Sequence, residues 1–142
     1  MLQTVPLATV LAVLPVPLLG RWVPAGFPSP ADDYLEGQID VAAYLIERPA
    51  STFLMRVSGV SMIGAGILDG DYIVVDRSVE PKNGHIVVAV CNGEMTVKRL
   101  QILRRGHAIL RAENPDYPDW VICEETPAEI WGVVVGTFRK TI

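Results

Sequence analysis

The sequence predicts a mostly β domain, a sandwich or partly open barrel, that follows an extended N-terminal arm. Beyond residue 50, short runs alternate β-branched or apolar residues with polar ones, as half-buried strands do. Gly, Asn and Asp cluster between these runs, where tight turns are needed. The 142 residues, 50% of them hydrophobic, suffice for one buried core but not for two domains. We therefore assign residues 1–40 to the arm and residues 41–142 to the domain, and exclude an α/β enzyme.

The first segment, residues 1–20, contains no charged side chain, and the first charge in the chain is Arg21. A transmembrane helix needs about 20 unbroken apolar residues, whereas Pro6, Pro15 and Pro17 each remove a backbone donor. A secretory signal peptide fits the length but normally begins with Lys or Arg. We expect an apolar arm that packs on its own domain or on a second subunit. A signal or membrane anchor, or a misassigned start codon, is the alternative.

The second segment, residues 21–33, is predicted to be an extended or turning linker. Its prolines fix φ and bias the preceding residues away from helix. Farther along, Asp40 is placed to cap a short helix over Val41–Glu47, which must end before Pro49.

Six strands are predicted in the remainder of the chain from period-two alternation and β-branched residues. They are Thr52–Val57, Tyr72–Asp76, Ile86–Cys91, Met95–Leu100, Ala108–Arg111 and Ile130–Phe138. The pair Asn92-Gly93 separates two of these strands and is the strongest hairpin signal in the sequence.

Charge and side-chain chemistry exclude several classes of function. A net charge of −4 disfavours direct binding to nucleic acid phosphates. The two cysteines, Cys91 and Cys123, are too few for a zinc cluster or a disulfide framework, and we expect buried thiols. Neither His85 nor His107 has a supporting Ser or Asp motif, which disfavours a Ser-His-Asp triad. No metal or dinucleotide motif occurs, and we predict no metal and no cofactor.

A serine and a lysine remain as candidate catalytic groups. Ser61 lies in a turn of small residues, and Lys98 lies within a predicted strand. A serine hydroxyl is a weak nucleophile until a base takes its proton, and lysine can be that base when burial lowers its pKa. Alternation places Thr96, Lys98 and Leu100 on one face of the strand, while Arg99 on the other face is expected to stay in water. Taken alone, a solvated strand lysine is the simpler interpretation.

Several segments together resemble the self-cleaving Ser–Lys peptidases of the LexA and UmuD group, most strongly its UmuD-like members. The segments are Ala25–Tyr34, Gln38–Asp40, Ser58–Met62, Ile67–Asp76, Thr96–Leu100, Glu113–Tyr117 and Trp131–Val134. They lie in register between Val23 and Thr137, and residues 1–22 are expected to carry no resemblance.

This resemblance implies a LexA/UmuD-like peptidase fold with a mobile arm that the protein cuts itself. The cleaved bond would be Ala25–Gly26, with Ser61 as the nucleophile and Lys98 as the general base. The backbone N–H groups of Val60 and Ser61 would form the oxyanion hole. His85 stands where relatives commonly have Asp, but this position is not a catalytic one.

The resemblance also implies partners and a cellular role. RecA on single-stranded DNA would stimulate cleavage of a cytoplasmic homodimer. The trimmed dimer would then join a UmuC-like Y-family DNA polymerase as the accessory subunit in error-prone translesion synthesis during the SOS response. No membrane association and no strong direct nucleic acid binding are expected.

Three alternatives stay open. A membrane-anchored, signal-peptidase-like protease would share the dyad and explain residues 1–20, but such proteins usually have Pro close behind the Met, where this chain has Ile63-Gly64. A LexA-like or phage repressor needs a helix-turn-helix domain, which residues 1–25 with their single charge do not supply. An inert module that only binds a polymerase is the third alternative.

Overall fold

The computed structural model describes residues 14–20, 22–30 and 35–142. Much of the predicted apolar arm over 1–20 and part of the linker over 21–33 therefore lie outside the described residues. The chain divides into two compact units, Met1–Glu47 and Arg48–Ile142.

The first unit contains a pair of strands that the sequence analysis did not predict. Strand β1 (Pro15–Leu19) pairs antiparallel with strand β2 (Leu35–Asp40). Strand β1 contains two prolines, which argue against a strand when only the sequence is considered, although an edge strand tolerates proline. Both strands are extended backbone, so their pairing adds to the expected extended arm and does not contradict it. All side chains of β1 are exposed, and an isolated two-stranded sheet is marginally stable at best.

A short helix follows this strand pair. Helix α1 spans Val41–Leu45, and the Asp40 side chain caps it by accepting the backbone N–H of Ala43 at 3.1 Å. The predicted cap is confirmed. The helix ends two residues before the predicted Glu47 because Ile46 has extended backbone angles.

The second unit is built on a seven-stranded antiparallel sheet, which confirms the mostly β prediction. Its strands are β3 (Thr52–Arg56), β4 (Tyr72–Asp76), β5 (Ile86–Cys91), β6 (Glu94–Ile102), β7 (Ala108–Arg111), β8 (Trp120–Ile122) and β9 (Ala128–Phe138). They are arranged in the order β3-β4-β9-β5-β6-β7-β8, and β3 and β8 are the unpaired edges, so the described sheet is not a closed barrel.

All six predicted strands are present, three of them with the predicted bounds. Strand β3 ends one residue early, at Arg56, whereas β6 is longer at both ends and β9 begins two residues early, at Ala128. The β5–β6 hairpin is confirmed, and Asn92 and Gly93 have φ angles of 51° and 77°. Two consecutive left-handed residues are what a tight two-residue hairpin turn requires. Strand β8 was missed because three residues are too few to show alternation.

Strand β5 is central and is buried on both faces of the sheet. Val87, Ala89 and Cys91 pack into one core cluster, together with Leu100, Leu110 and Val133. Val88 points the opposite way and packs into a second cluster with Met62, Ile67, Ile73 and Val75. Since Met62 and Ile67 belong to the segment that follows β3, this second cluster fixes that segment, and with it Ser61, against the sheet.

The buried carboxylate of Asp76 holds the end of β4 against the neighbouring loops through hydrogen bonds. It accepts hydrogen bonds from the Ser51 hydroxyl at 2.7 Å, from the Ser78 hydroxyl at 2.7 Å and from Arg48 Nε at 2.9 Å. Burial alone would raise the pKa of Asp76, but these bonds outweigh it and lower the pKa from 3.8 to about 2.

Replacing Asp76 with alanine is expected to lower the free energy of unfolding by about 2–3 kcal/mol at neutral pH, because several hydrogen bonds to a charged acceptor are lost. Since the folded-state pKa is depressed, the contribution is complete above the unfolded-state pKa and is lost as pH falls through about 2. Urea unfolding at several pH values measures both effects. Asp119→Ala, which breaks an exposed ion pair with Arg111, is the control and should cost less. Equal losses in the two variants would contradict the role of Asp76.

Candidate active site

Ser61 lies in a turn between β3 and a 3₁₀ turn over Ile63–Ala65, and it is anchored on both sides. On one side, Gly59 adopts a φ of 99°, and its N–H is bound by the Asp69 carboxylate at 2.7 Å. On the other side, the Met62 side chain is 2% exposed in the core. The half-buried serine is therefore held by contacts that do not use its own hydroxyl.

Lys98 reaches this serine from β6. Its Nζ lies 3.0 Å from Ser61 Oγ, 3.0 Å from Thr96 Oγ1 and 3.1 Å from the Val97 carbonyl oxygen. The contact between Thr96 and Lys98 agrees with their predicted common face. The structure therefore brings together the serine and the lysine that the sequence analysis singled out.

Arg99, on the opposite face of β6, differs from its prediction. It was expected to stay in water, but it forms an ion pair with Glu113 and donates to the Gly84 carbonyl at 2.7 Å. Its side chain is 35% exposed. Arg99 thus connects the lysine strand to the loop that follows β7.

The electrostatic environment favours the neutral form of the lysine. Burial lowers the pKa of Lys98 below its ordinary value of 10.5, and nearby Cys91 opposes this shift only in part. Burial also raises the pKa of the Cys91 thiol, which therefore stays protonated and uncharged at neutral pH. A larger fraction of Lys98 consequently carries a free lone pair, which can accept a proton. Cys91 is buried as expected, whereas Cys123 is exposed, so that part of the prediction is wrong.

Two open cavities border the dyad. One, of about 200 Å³, is lined by Ser61 and by apolar side chains that include Met55, Val57 and Ile73. The other, of about 390 Å³, is lined by Lys98 with residues that include Met95, Thr96, Tyr117 and Trp120. An extended peptide placed across the dyad would have room for side chains on both sides.

The backbone before Ser61 offers hydrogen-bond donors. Within the described part of the chain, neither the N–H of Val60 nor that of Ser61 is bound by a protein acceptor. The N–H of Gly59, by contrast, is occupied by Asp69. The N–H groups of Val60 and Ser61, the two residues assigned to the oxyanion hole from the sequence, are therefore available to bind an acceptor.

The histidines take no part in this site. His85 Nδ1 accepts the backbone N–H of Lys82 at 3.1 Å in a turn, and His107 is exposed. Over residues 14–20, 22–30 and 35–142, no cluster of three or more His, Cys, Asp or Glu residues could hold a metal ion. No described helix has the length and apolar character to cross a membrane.

The loop of Glu113 and Asn114, for which the sequence predicts no role, contacts the serine turn. Asn114 Nδ2 donates to the Val60 carbonyl at 2.9 Å, and the Glu113 carbonyl accepts the N–H of Gly64 at 2.8 Å. The available signal was Asn114 directly before Pro115, which is typical of a turn but says nothing about a partner far away in the sequence.

Gly64 allows this close approach because it has no side chain. A Cβ at this position would lie 2.6 Å from the Glu113 carbonyl oxygen. Gly64→Ala is therefore expected to push the serine turn from the loop and to lower the free energy of unfolding by about 1–3 kcal/mol, as thermal unfolding would measure. Gly26→Ala is the stability control because an added Cβ there meets no atom within 4 Å. If Gly64→Ala and Gly26→Ala unfold at the same temperature, the close packing of Gly64 against Glu113 does not contribute to stability.

Similarity to known proteins covers most of the chain. The chain matches the Peptidase S24-like family over residues 17–135. Protein SamA of Salmonella typhimurium is 47% identical over 125 residues, which cover 88% of this chain and 86% of that protein. Protein MucA of Escherichia coli is 42% identical over 84% of this chain and 81% of its own length. The LexA repressor of Cupriavidus taiwanensis is 44% identical over 97% of this chain and 62% of the repressor.

These matches confirm the resemblance to the LexA and UmuD group and extend it toward the N-terminus. The family match begins at residue 17 and the LexA match covers 97% of the chain. The expectation that residues 1–22 carry no resemblance is therefore wrong. Since the family match covers most of its length, this chain belongs to the Peptidase S24-like family, which includes the self-cleaving serine peptidases of the LexA and UmuD type.

Proposed function

We propose that this protein is a self-cleaving serine peptidase of the SOS response that cuts its own Ala25–Gly26 bond. The observation that carries the proposal is the 3.0 Å contact between Lys98 Nζ and Ser61 Oγ. A partly buried lysine with a lowered pKa beside a serine hydroxyl supplies both the base and the nucleophile for acyl transfer.

The reaction starts with neutral Lys98. Its Nζ takes the proton of Ser61 as Oγ attacks the carbonyl carbon of Ala25, and the N–H groups of Val60 and Ser61 stabilise the resulting oxyanion. The Lys98 ammonium then returns the proton to the nitrogen of Gly26 as the peptide bond breaks. Finally, Lys98 deprotonates a water molecule that hydrolyses the acyl–serine ester, which releases the carboxylate of Ala25 and regenerates the hydroxyl.

The segment around the proposed cleavage bond has the properties of a substrate. Residues 22–30 are exposed and form neither helix nor strand. Ala25 and Gly26 have small side chains, and Pro24 and Pro28 keep their flanks out of regular structure. Because this segment belongs to the same chain as the peptidase domain, 41–142, the reaction needs little intrinsic affinity.

The trimmed chain would act as the accessory subunit of an error-prone translesion DNA polymerase. We propose a cytoplasmic homodimer whose cleavage is stimulated by RecA on single-stranded DNA and whose product binds a UmuC-like Y-family polymerase. The similarity to SamA, MucA and LexA supports this role. Cleavage would remove the only charge of residues 1–25, that of Arg21, which changes the net charge from −4 to about −5. Such a product would reach DNA through its partners.

Incubating the purified protein at pH 10 is expected to produce fragments 1–25 and 26–142, because alkaline pH deprotonates Lys98. Mass spectrometry of the intact mixture identifies the bond, and a sample held at pH 6 is the control. A chain that stays whole at pH 10 would contradict the peptidase function and favour the inert polymerase-binding module. Cleavage at another bond would contradict the assignment of Ala25–Gly26.

A further inference from the structure

The Asn114 side chain takes no part in the mechanism above, yet it holds the peptide bond that precedes Ser61. Its Nδ2 donates to the Val60 carbonyl oxygen at 2.9 Å. Its Oδ1 accepts the backbone N–H of Asp116 at 3.0 Å. Because both ends of the amide are engaged, its donor end is directed at Val60.

Peptide geometry transmits this constraint to the N–H of Ser61. In a trans peptide the C=O and the following N–H lie in one plane and point in opposite directions, and the described chain contains no cis peptide. Fixing the carbonyl of Val60 therefore fixes the direction of the Ser61 N–H. Among the described residues, the other donor to this carbonyl is the N–H of Ile63 at 3.4 Å, which is a weaker contact.

The loop that carries Asn114 is also tied to both halves of the dyad. Next to Asn114, the Glu113 carbonyl binds the N–H of Gly64 in the serine turn at 2.8 Å. The Glu113 side chain pairs with Arg99, the residue that follows Lys98 on β6. The loop is thus a fixed point from which the Val60–Ser61 peptide can be oriented.

We propose that Asn114 is a positioning residue that aligns the Ser61 N–H with the oxyanion formed during self-cleavage. This inference rests on the proposed function. Donors that are already aligned stabilise a developing negative charge without reorganisation, and a peptide that can rotate loses this advantage. Asn114 touches no reacting atom and acts only through the peptide it holds.

Asn114→Ala is expected to lower the plateau rate of alkaline self-cleavage about tenfold, less than the ~10²–10³-fold cost of deleting an oxyanion donor itself. The pH midpoint of the rate should not move, since every contact of Lys98 is retained. Asn114→Asp keeps the acceptor for Asp116, so it serves as a second variant if the alanine variant unfolds, and its rate should also fall. Asn83→Ala is the matched control: it removes a 2.8 Å bond to the N–H of Ile102 and should keep the wild-type rate.

Backbone ¹⁵N relaxation of the Ser61 amide gives a reading that does not depend on cleavage. Microsecond-to-millisecond exchange is expected in folded Asn114→Ala and not in wild type. Wild-type rates in both Asn114 variants, a shifted pH midpoint in Asn114→Ala or an equal loss in Asn83→Ala would overturn the inference. A wild-type chain that does not cleave itself would contradict the proposed function. In that case the relaxation data still test the positioning role: identical relaxation of the Ser61 amide in wild type and in Asn114→Ala would overturn it.

Discussion

Ser61→Ala is expected to abolish self-cleavage, with a fall in rate of at least about 10³-fold, because no other group replaces the nucleophile. The fold should be unaffected, since the turn is anchored by Met62 and by the bond between Gly59 and Asp69. The appearance of fragment 26–142 at pH 10, followed by mass spectrometry, measures the effect.

Ser58 provides the matched control for this variant. It lies in the same turn, three residues before Ser61, but Lys98 Nζ contacts only Ser61 of the two serines. Ser58→Ala should therefore cleave at close to the wild-type rate. If Ser58→Ala loses cleavage and Ser61→Ala keeps it, the nucleophile is Ser58 and the assignment of Ser61 is wrong.

Lys98→Arg is expected to abolish cleavage at every pH that the protein withstands. Arginine keeps the positive charge and much of the length of lysine, but it is not deprotonated in proteins and cannot accept the serine proton. A loss in this variant therefore separates a requirement for a base from a requirement for a cation. The rate constant at pH 10 should fall by at least about 10³-fold.

The exposed Lys82 is the control for this second prediction. Lys82→Arg makes the same chemical change away from the dyad and should leave the rate unchanged. Thermal unfolding of both variants shows whether the larger guanidinium has disturbed the core. If folded Lys98→Arg cleaves with a rate that still rises with pH, another group is the base.

The strands could be predicted where local pattern and burial agree. Strand β5 is an apolar run that the sheet buries on both faces, and β4 and β7 are short, largely apolar runs between turns, so their bounds follow from the sequence. Strand β1 could not be predicted because Pro15 and Pro17 argue against a strand, and only its pairing with β2 overrides them.

The site was predictable only in part, for a related reason. Period-two alternation places Thr96 and Lys98 on one face, which the contact between them confirms. Alternation cannot show what lies opposite that face, and Ser61 comes from a separate segment that the second core cluster positions. The contact of Asn114 with Val60 joins residues 54 apart, and no local pattern encodes such a contact. The same holds for the ion pair of Arg99 with Glu113.

The rate of self-cleavage as a function of pH tests the central claim, that neutral Lys98 activates Ser61, most directly. Because burial lowers the pKa of Lys98 from its ordinary 10.5, the rate should rise with pH to a plateau, with a midpoint below 10.5. The rise should vanish in both Ser61→Ala and Lys98→Arg. A wild-type rate that does not depend on pH, or a rise that survives in either variant, would contradict the Ser61–Lys98 mechanism.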